Sequence, residues 1–355
     1  MITIVLTYRN RDIGILKNCL DSLLNQTDRC FEVILIDYGS VALYKNELEK
    51  LLGNYKFIKL VRCETEQQLW CKSRAINIAL KRCVTPFVFV GDVDMIYSPD
   101  FISTLNILKN NLKVVYFQVG FLSQTESKIN KAFVDYHINF KSNKEATGMA
   151  LFTTDILKSI NGYDEFYNGW GGEDTDVHIR LRNAGYTVYF YDDTILMLHQ
   201  WHPKSYRNKN SLTPFHNLLE KINHEYLKFT NSNNKIKANV NFPWGSYNKS
   251  DYDDLNNIET TYSLTNKEAE FKAFVNHILL TEKDKVIKIE IKPHKEFKSI
   301  KQNTKKVLGQ KTISFLEMDT INNLLLEYII TNLRDKAYQF QYNSKNQTIH
   351  LIIKL

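Results

Sequence analysis

Hydrophobic and polar positions in the first 120 residues alternate between two rhythms. The short apolar runs "ITIVLTY", "FEVILIDYG", "TPFVFVGDVDM" and "KVVYFQVGFL", with a weaker "YKFIKLVRC", read as buried strands. Between them, "ILKNCLDSLLNQ", "ALYKNELEKLLG", "KSRAINIALKRC" and "FISTLNILKNN" repeat apolar residues at helical spacing. Strand and helix alternating at this interval predict an α/β layer built on a parallel sheet. Ligands of such a sheet sit beyond the carboxyl ends of its strands. That rule singles out Arg9 and Arg11, Asp37, and the acids Asp92 and Asp94.

Further along, residues 125–147 are polar and irregular, a candidate mobile loop. "GMALFTTDILKSING" reads as a strand and a short helix. "DTDVHIRLRNAGY" predicts a helix: Val177, Leu181 and Ala184 share a face, acids fill the first turn, and Gly185 supplies the stop. "TVYFYDD" predicts a strand, and "TILMLHQWHPKSY" carries two histidines. Residues 226–264, rich in Asn, Ser and Asp, read as a boundary region that separates a domain over 1–225 from a small α/β unit over 265–355. In that last unit "KVIKIEIK", "YQFQYN" and "TIHLIIKL" read as strands and "TINNLLLEYIITNL" as a helix, with no chemical motif among them.

Composition narrows the class. With 355 residues, 43% hydrophobic and 24% charged, the chain is an ordinary globular protein. No apolar run approaches the roughly 18–20 residues that span a bilayer, and the opening run lacks the pattern of a signal peptide. Five cysteines, an odd number without a C-x-x-C pair, argue against a disulfide framework or structural zinc. A reduced, cytoplasmic protein is expected. The net charge of +7 sits almost wholly in residues 283–311, where ten lysines face three acids. A solvated face accounts for this stretch; the alternative is contact between Lys283–Lys311 and anionic lipid at the inner face of a membrane. Nucleic acid is not expected, because no aromatic platform accompanies the charge. For the last unit, an oligomer or partner contact is the leading expectation.

Three constellations can carry chemistry. Asp92 and Asp94 leave a fully apolar strand two residues apart, which aims hard oxygen ligands into a cleft, although a turn or cap needs only one of them. His199 and His202, three apart after "TILML", suit a divalent ion held by carboxylate and imidazole together. In "NGWGGEDTD", Gly169, Gly171 and Gly172 admit a ligand close to the backbone, and Trp170 offers a flat apolar face of the kind that binds a sugar ring. Glu173 and Asp174 open the next helix, where the dipole favours their ionised forms and equips one to take a proton from a hydroxyl. A capping cluster would explain Asp174 or Asp176, but not the tryptophan and its glycines.

Taken in order, "TYRNR" (Thr7 to Arg11), "GDVDM", "NGWGGEDTD" and "MLH" resemble a GT-A-fold glycosyltransferase of family 2 with a galactosyltransferase-type C-terminal half. The pattern is similar to that of animal β-1,4-galactosyltransferases and bacterial chondroitin polymerase modules, over about residues 1–210. The resemblance implies a Rossmann-like mixed sheet flanked by helices, with residues 1–225 as the catalytic domain. It implies an inverting transfer, Mn²⁺- or Mg²⁺-dependent, from a UDP-sugar of Gal or GalNAc type to a glycan or lipid-linked glycan acceptor in bacterial surface polysaccharide synthesis. It assigns Thr7, Arg9, Arg11, Asp37, Arg74, Asp92 and Asp94 to the donor and Asp94 and His199 to the metal. Trp170, Gly171, Gly172 and Glu173 fall to the acceptor, and Asp174 is the base. The family spaces Met and His as M-x-x-H, whereas Met197 and His199 are two apart, so His202 stays a candidate ligand. Rival readings are a transferase using UDP-GlcNAc or UDP-glucuronate, and a non-catalytic carbohydrate-binding scaffold on the same fold. A nucleotidyltransferase would want a Gly-rich, lysine-ending loop, which "TYRNRDIG" is not.

Overall fold

A computed structural model describes residues 1–143, 148–203 and 214–355. The described chain parts into two compact units. One comprises 1–63, 70–203 and 218–247, the other 64–69, 214–217 and 248–355.

In the first unit the strands are β1 (Ile2–Tyr8), β2 (Phe31–Tyr38), β3 (Ile58–Cys63), β4 (Phe87–Asp92), β5 (Met95–Tyr97), β6 (Val114–Phe117), β7 (Gly120–Leu122), β8 (Ile138–Lys141), β9 (Ala150–Thr153), β10 (Tyr189–Tyr191) and β11 (Met197–His199). Its helices are α1 (Ile13–Leu24), α2 (Ala42–Leu52), α3 (Lys72–Arg82), α4 (Phe101–Leu108), α5 (Thr154–Ser159), α6 (Glu173–Asn183) and α7 (Leu219–Ser232). Seven strands form one sheet in the order β10-β6-β9-β4-β1-β2-β3. Its two faces pack on separate cores. Ile4 and Leu6 share one core with Leu16 and Leu20 of α1, while Val5 shares the other with Ile76 and Leu80 of α3. Burial on both faces is why the central strands are continuous apolar runs rather than alternating ones.

The sheet is mixed rather than parallel throughout. Strand β9 runs antiparallel between β4 and β6, a direction that a short buried run cannot encode by periodicity. The stretch 125–147 also differs from an irregular loop. It holds 3₁₀ turns at Glu126–Lys128 and Phe133–Asp135, and β8 pairs with β7; residues 144–147 lie outside the described part. A second sheet, β5-β11-β7-β8, stands at the carboxyl end of the first, with β11 antiparallel to β5.

Residues 226–247, part of the polar stretch read as a boundary, complete this unit. Asparagine does the joining: Asn239 Nδ2 donates to the Tyr163 carbonyl at 2.7 Å and to the Asn161 carbonyl at 3.2 Å. Side-chain amides that replace backbone partners make a stretch look like loop in sequence while fastening it in space.

The second unit holds α8 (Lys249–Asp253), β12 (Thr260–Thr265), α9 (Glu268–Ala273), β13 (Val286–Lys292), α10 (Ile300–Val307), α11 (Met318–Asn332), β14 (Tyr338–Asn343) and β15 (Thr348–Lys354). Its sheet, ordered β12-β13-β15-β14, is buried on alternate positions such as Ile287, Ile289 and Ile291. One covered face gives the period-2 pattern that the three strands expected here display. Strand β12 lacks that signal because it is a half-buried edge.

Candidate active site

The carboxyl ends of the central strands converge as the sheet rule requires. Across the ladder Thr7 is level with Asp92 and Tyr8 with Asp37. Arg9 follows β1 directly. Asp37 is fully buried, and its Oδ1 accepts from the Ser40 amide at 3.0 Å. The expected nucleotide contact Arg74 is buried in α3, and its Nη2 donates to the Ser246 carbonyl at 3.1 Å.

Asp94 lies in the tight turn between β4 and β5. Strand β11 pairs with β5 so that His199 is level with Met95, and the Gln200 amide donates to the Asp94 carbonyl at 2.9 Å. This pairing carries both histidines to the acid. His202 Nε2 is 3.1 Å from Asp94 Oδ2, His199 Nε2 is 3.8 Å from Oδ1, and the three ligand atoms lie within 4.8 Å of one another. Arg11 Nη2 stands 3.3 Å from the same carboxylate.

Burial alone would raise the Asp94 carboxyl. The hydrogen bond from His202 and the charges of His199 and Arg11 outweigh it and hold the group well below its ordinary range. Burial lowers the His199 imidazole, against the opposing pull of the Asp94 charge. Asp94 Oδ1 is buried without a hydrogen-bond donor among the described residues. One ionised carboxylate and two imidazoles with an unspent oxygen form a donor set that fits a divalent transition-metal ion such as Mn²⁺ better than Mg²⁺, which prefers oxygen ligands throughout. The geometry admits His199 and His202 together.

A second cluster forms around a residue that the sequence reading passed over. Lys72, the first residue of α3, places its ammonium 3.0 Å from Asp92 Oδ1 and 3.5 Å from Asp174 Oδ2. Burial pushes this lysine down, but Asp174, Asp92 and Glu173 overcome it and keep the ammonium charged. A signal was present in the sequence: a cation in the first turn of a helix opposes the dipole and needs an acid nearby.

Glu173 and Asp174 open α6 behind Gly172, whose φ of 92° puts the cap in the left-handed region. Burial raises both carboxyls, Glu173 to about 7 with its neighbour's charge adding, while Lys72 pulls Asp174 back. Asp174 Oδ1 is buried with no donor among the described residues. Gly148 makes room for this carboxylate, since a Cβ there would stand 2.4 Å from Asp174 Oδ2. Asp176, the third acid, is structural. It is fully buried, accepting from Arg180 Nε at 2.6 Å and Thr230 Oγ1 at 3.0 Å. Trp170 is 47% exposed beside these acids, its carbonyl held by Asn223 Nδ2 at 3.1 Å.

A mixed α/β sheet thus carries an acidic turn at its carboxyl edge, faced by an acid-headed helix behind a glycine-flanked tryptophan, the arrangement that the sequence resemblance to GT-A glycosyltransferases implies. Residues 3–152 match the model described as glycosyl transferase family 2, and residues 127–202 that described as the N-terminal domain of galactosyltransferase. The two matches together run over residues 3–202, and what they show of this stretch is similarity to glycosyltransferase domains. β-1,4-Galactosyltransferase 5 from Homo sapiens and from Sus scrofa is 44% identical over 41 residues, 12% of this chain and 11% of the relatives' length. Among solved structures, S. aureus TarS 1–349 is similar at 17% identity and TM-score 0.44, over 56% of this chain and 60% of that one. GalNAc-T7, solved with UDP, GalNAc and Mn²⁺, is similar at 15% identity and TM-score 0.43, over 57% and 44%.

Proposed function

We propose that this enzyme moves a sugar of galactose or N-acetylgalactosamine type from a UDP-sugar to a glycan acceptor hydroxyl, inverting the anomeric carbon and depending on a divalent ion. The observation that carries the reading is the partly buried Lys72 ammonium between Asp92 at the end of β4 and Asp174 at the start of α6. It ties a donor-side acid to a candidate base across one cleft. The galactosyltransferase match over residues 127–202 supports the choice of sugar. The sequence resemblance supports an acceptor in bacterial surface polysaccharide synthesis, free or lipid-linked.

Asp94, His199 and His202 would hold the Mn²⁺ or Mg²⁺. Once bound, that ion neutralises charge growing on the UDP leaving group. Arg9 and Arg11, where β1 ends, offer guanidinium donors to the diphosphate. Trp170 lays an apolar face against the acceptor sugar, with Glu173 as a hydroxyl partner. Asp174 accepts the acceptor's proton as its oxygen bonds to the anomeric carbon and the bond from that carbon to the UDP oxygen breaks. Attack from the face opposite UDP gives inversion. A positioned base of this kind is worth roughly 10²–10⁴-fold in rate.

The test is UDP release from a panel of UDP-sugars, with Mn²⁺ and with EDTA, for wild type and Asp94→Ala. The expected result is metal-dependent release from UDP-Gal or UDP-GalNAc that Asp94→Ala loses. Release from UDP-GlcNAc or UDP-glucuronate instead would keep the chemistry and overturn the sugar. A protein that neither releases UDP nor binds it in the presence of metal would be a carbohydrate-binding scaffold.

A further inference from the structure

Helix α10, within the second unit, is built inside out. Its buried residue is Gln302, whose Oε1 accepts from the Ile313 amide at 3.1 Å and whose Nε2 donates to Glu296. The aliphatic residues face away: Ile300 is 85% exposed, Val307 87% and Leu308 63%. Ile300 and Val307 are one heptad apart, so they lie within about 20° of each other around the helix. Leu308 continues the same stripe at the helix end. A surface helix normally turns such residues inward, and nothing in the inward face of α10 calls for them.

Lysines border the stripe. By helical spacing Lys301 and Lys305 fall on one side of it and Lys306 on the other, with Lys295, Lys298 and Lys311 in the flanking turns. Lys301 is paired with Glu296 at 2.9 Å and Lys298 with Glu317 at 3.0 Å. Lys295, Lys306 and Lys311 form no ion pair among the described residues. Ser299 fixes the approach to the helix, its hydroxyl accepting from the Gln302 amide at 3.3 Å.

We propose that α10 is a docking element for an anionic lipid surface, in which Ile300, Val307 and Leu308 enter the headgroup boundary and the bordering lysines meet the lipid phosphates. Apolar residues ringed by cations on one helix face match a layer that is apolar within and negative at its edge. A second copy of this chain would bring lysine against lysine on the same face, which argues for lipid over self-association. The proposal does not depend on the transferase chemistry and is read by binding alone.

Cosedimentation of the full chain with phosphatidylcholine vesicles, with and without phosphatidylglycerol, tests it. The expected result is binding to the anionic vesicles only, weakened by salt. Binding should fall roughly tenfold or more both in the triple variant Ile300→Ser, Val307→Ser, Leu308→Ser and in the triple variant Lys301→Glu, Lys305→Glu, Lys306→Glu. The aliphatic side chains are outside the core, so an unchanged melting curve separates lost binding from lost folding. Failure of wild type to sediment with anionic vesicles, or undiminished binding by the serine variant, would overturn the proposal. So would a dimer in sedimentation velocity that the serine variant abolishes while no vesicle binding occurs.

Discussion

Lys72 and Asp174 show how a single distance can set a proton's affinity. Burial raises the Asp174 carboxyl and the ammonium 3.5 Å away lowers it, while Asp92 pushes it up again. Glu173 faces the same ammonium from the head of α6. A base must be deprotonated to act, so activity falls as pH drops through its folded pKa. Lys72→Met removes the one lowering charge and should move the acid limb of the pH–rate profile upward. Lys72→Arg, which keeps the charge, should restore most of it. UDP release measured from pH 5 to 9 checks this; an acid limb that stays in place in Lys72→Met would show that the lysine serves only the fold. On donor binding, Lys72→Met should have less effect than Arg11→Ala.

Elements divide the work that the sequence presents as one acidic cluster. In α6 the first turn belongs to the cleft, while the next residues bolt the helix down. Arg180 is fully buried, donating to Asp176, to the Ile160 carbonyl at 2.9 Å and to the Gly162 carbonyl at 2.8 Å. Asp176→Ala should cost about 3–5 kcal/mol because it strands a buried guanidinium, seen as a lower urea midpoint at unchanged m-value. A loss under 1 kcal/mol would mean that water or a neighbour takes the acid's place. How much of this was legible in sequence follows from the kind of signal each element carries. Helical spacing placed α1, α3 and α6, and unbroken apolar runs placed β1, β2 and β4, since periodicity reports burial. The antiparallel sense of β9 and the pairing of β11 beside Asp94 were hidden, because strand direction and register belong to pairs of segments. Asp92, Asp94, Glu173 and Asp174 were visible as chemistry out of place in an apolar context. Gly148 was not, since it acquires its meaning from Asp174, 26 positions away, and Lys72 carried only the faint signal of a cation in a helix's first turn, its partners lying 20 and 102 positions away.

At the scale of the whole molecule, the two units are not two consecutive pieces of chain. Between β3 and α3, residues 64–69 leave the first unit and join the second. There the Phe340 amide donates to the Gln67 carbonyl at 3.0 Å, and Gln68 Nε2 donates to the Tyr338 carbonyl at 2.9 Å. A chain ended after residue 247 should therefore keep its seven-stranded sheet but deprive 64–69 of its bonds to Tyr338 and Phe340. Limited proteolysis read by mass spectrometry should find early cleavage in 64–69 of the short chain and protection in the full one. Equal protection in both would show that the segment holds its place unaided. Among the described residues no helix is long and apolar enough to cross a membrane, and the surface of α10 has to be tested as one that lies on a bilayer.

The bond from Gln68 to Tyr338 joins residues 270 apart in sequence. At the usual 5–20 residues per second of synthesis, about 14–54 s separate the two as they leave the ribosome. For that interval the stretch leading into α3 waits for β14, so a nascent chain carries residues 64–69 before their partners in the second unit exist. Slow codons or a stalled ribosome before residue 338 would lengthen that interval and, with it, the time in which the waiting segment is open to proteases and chaperones.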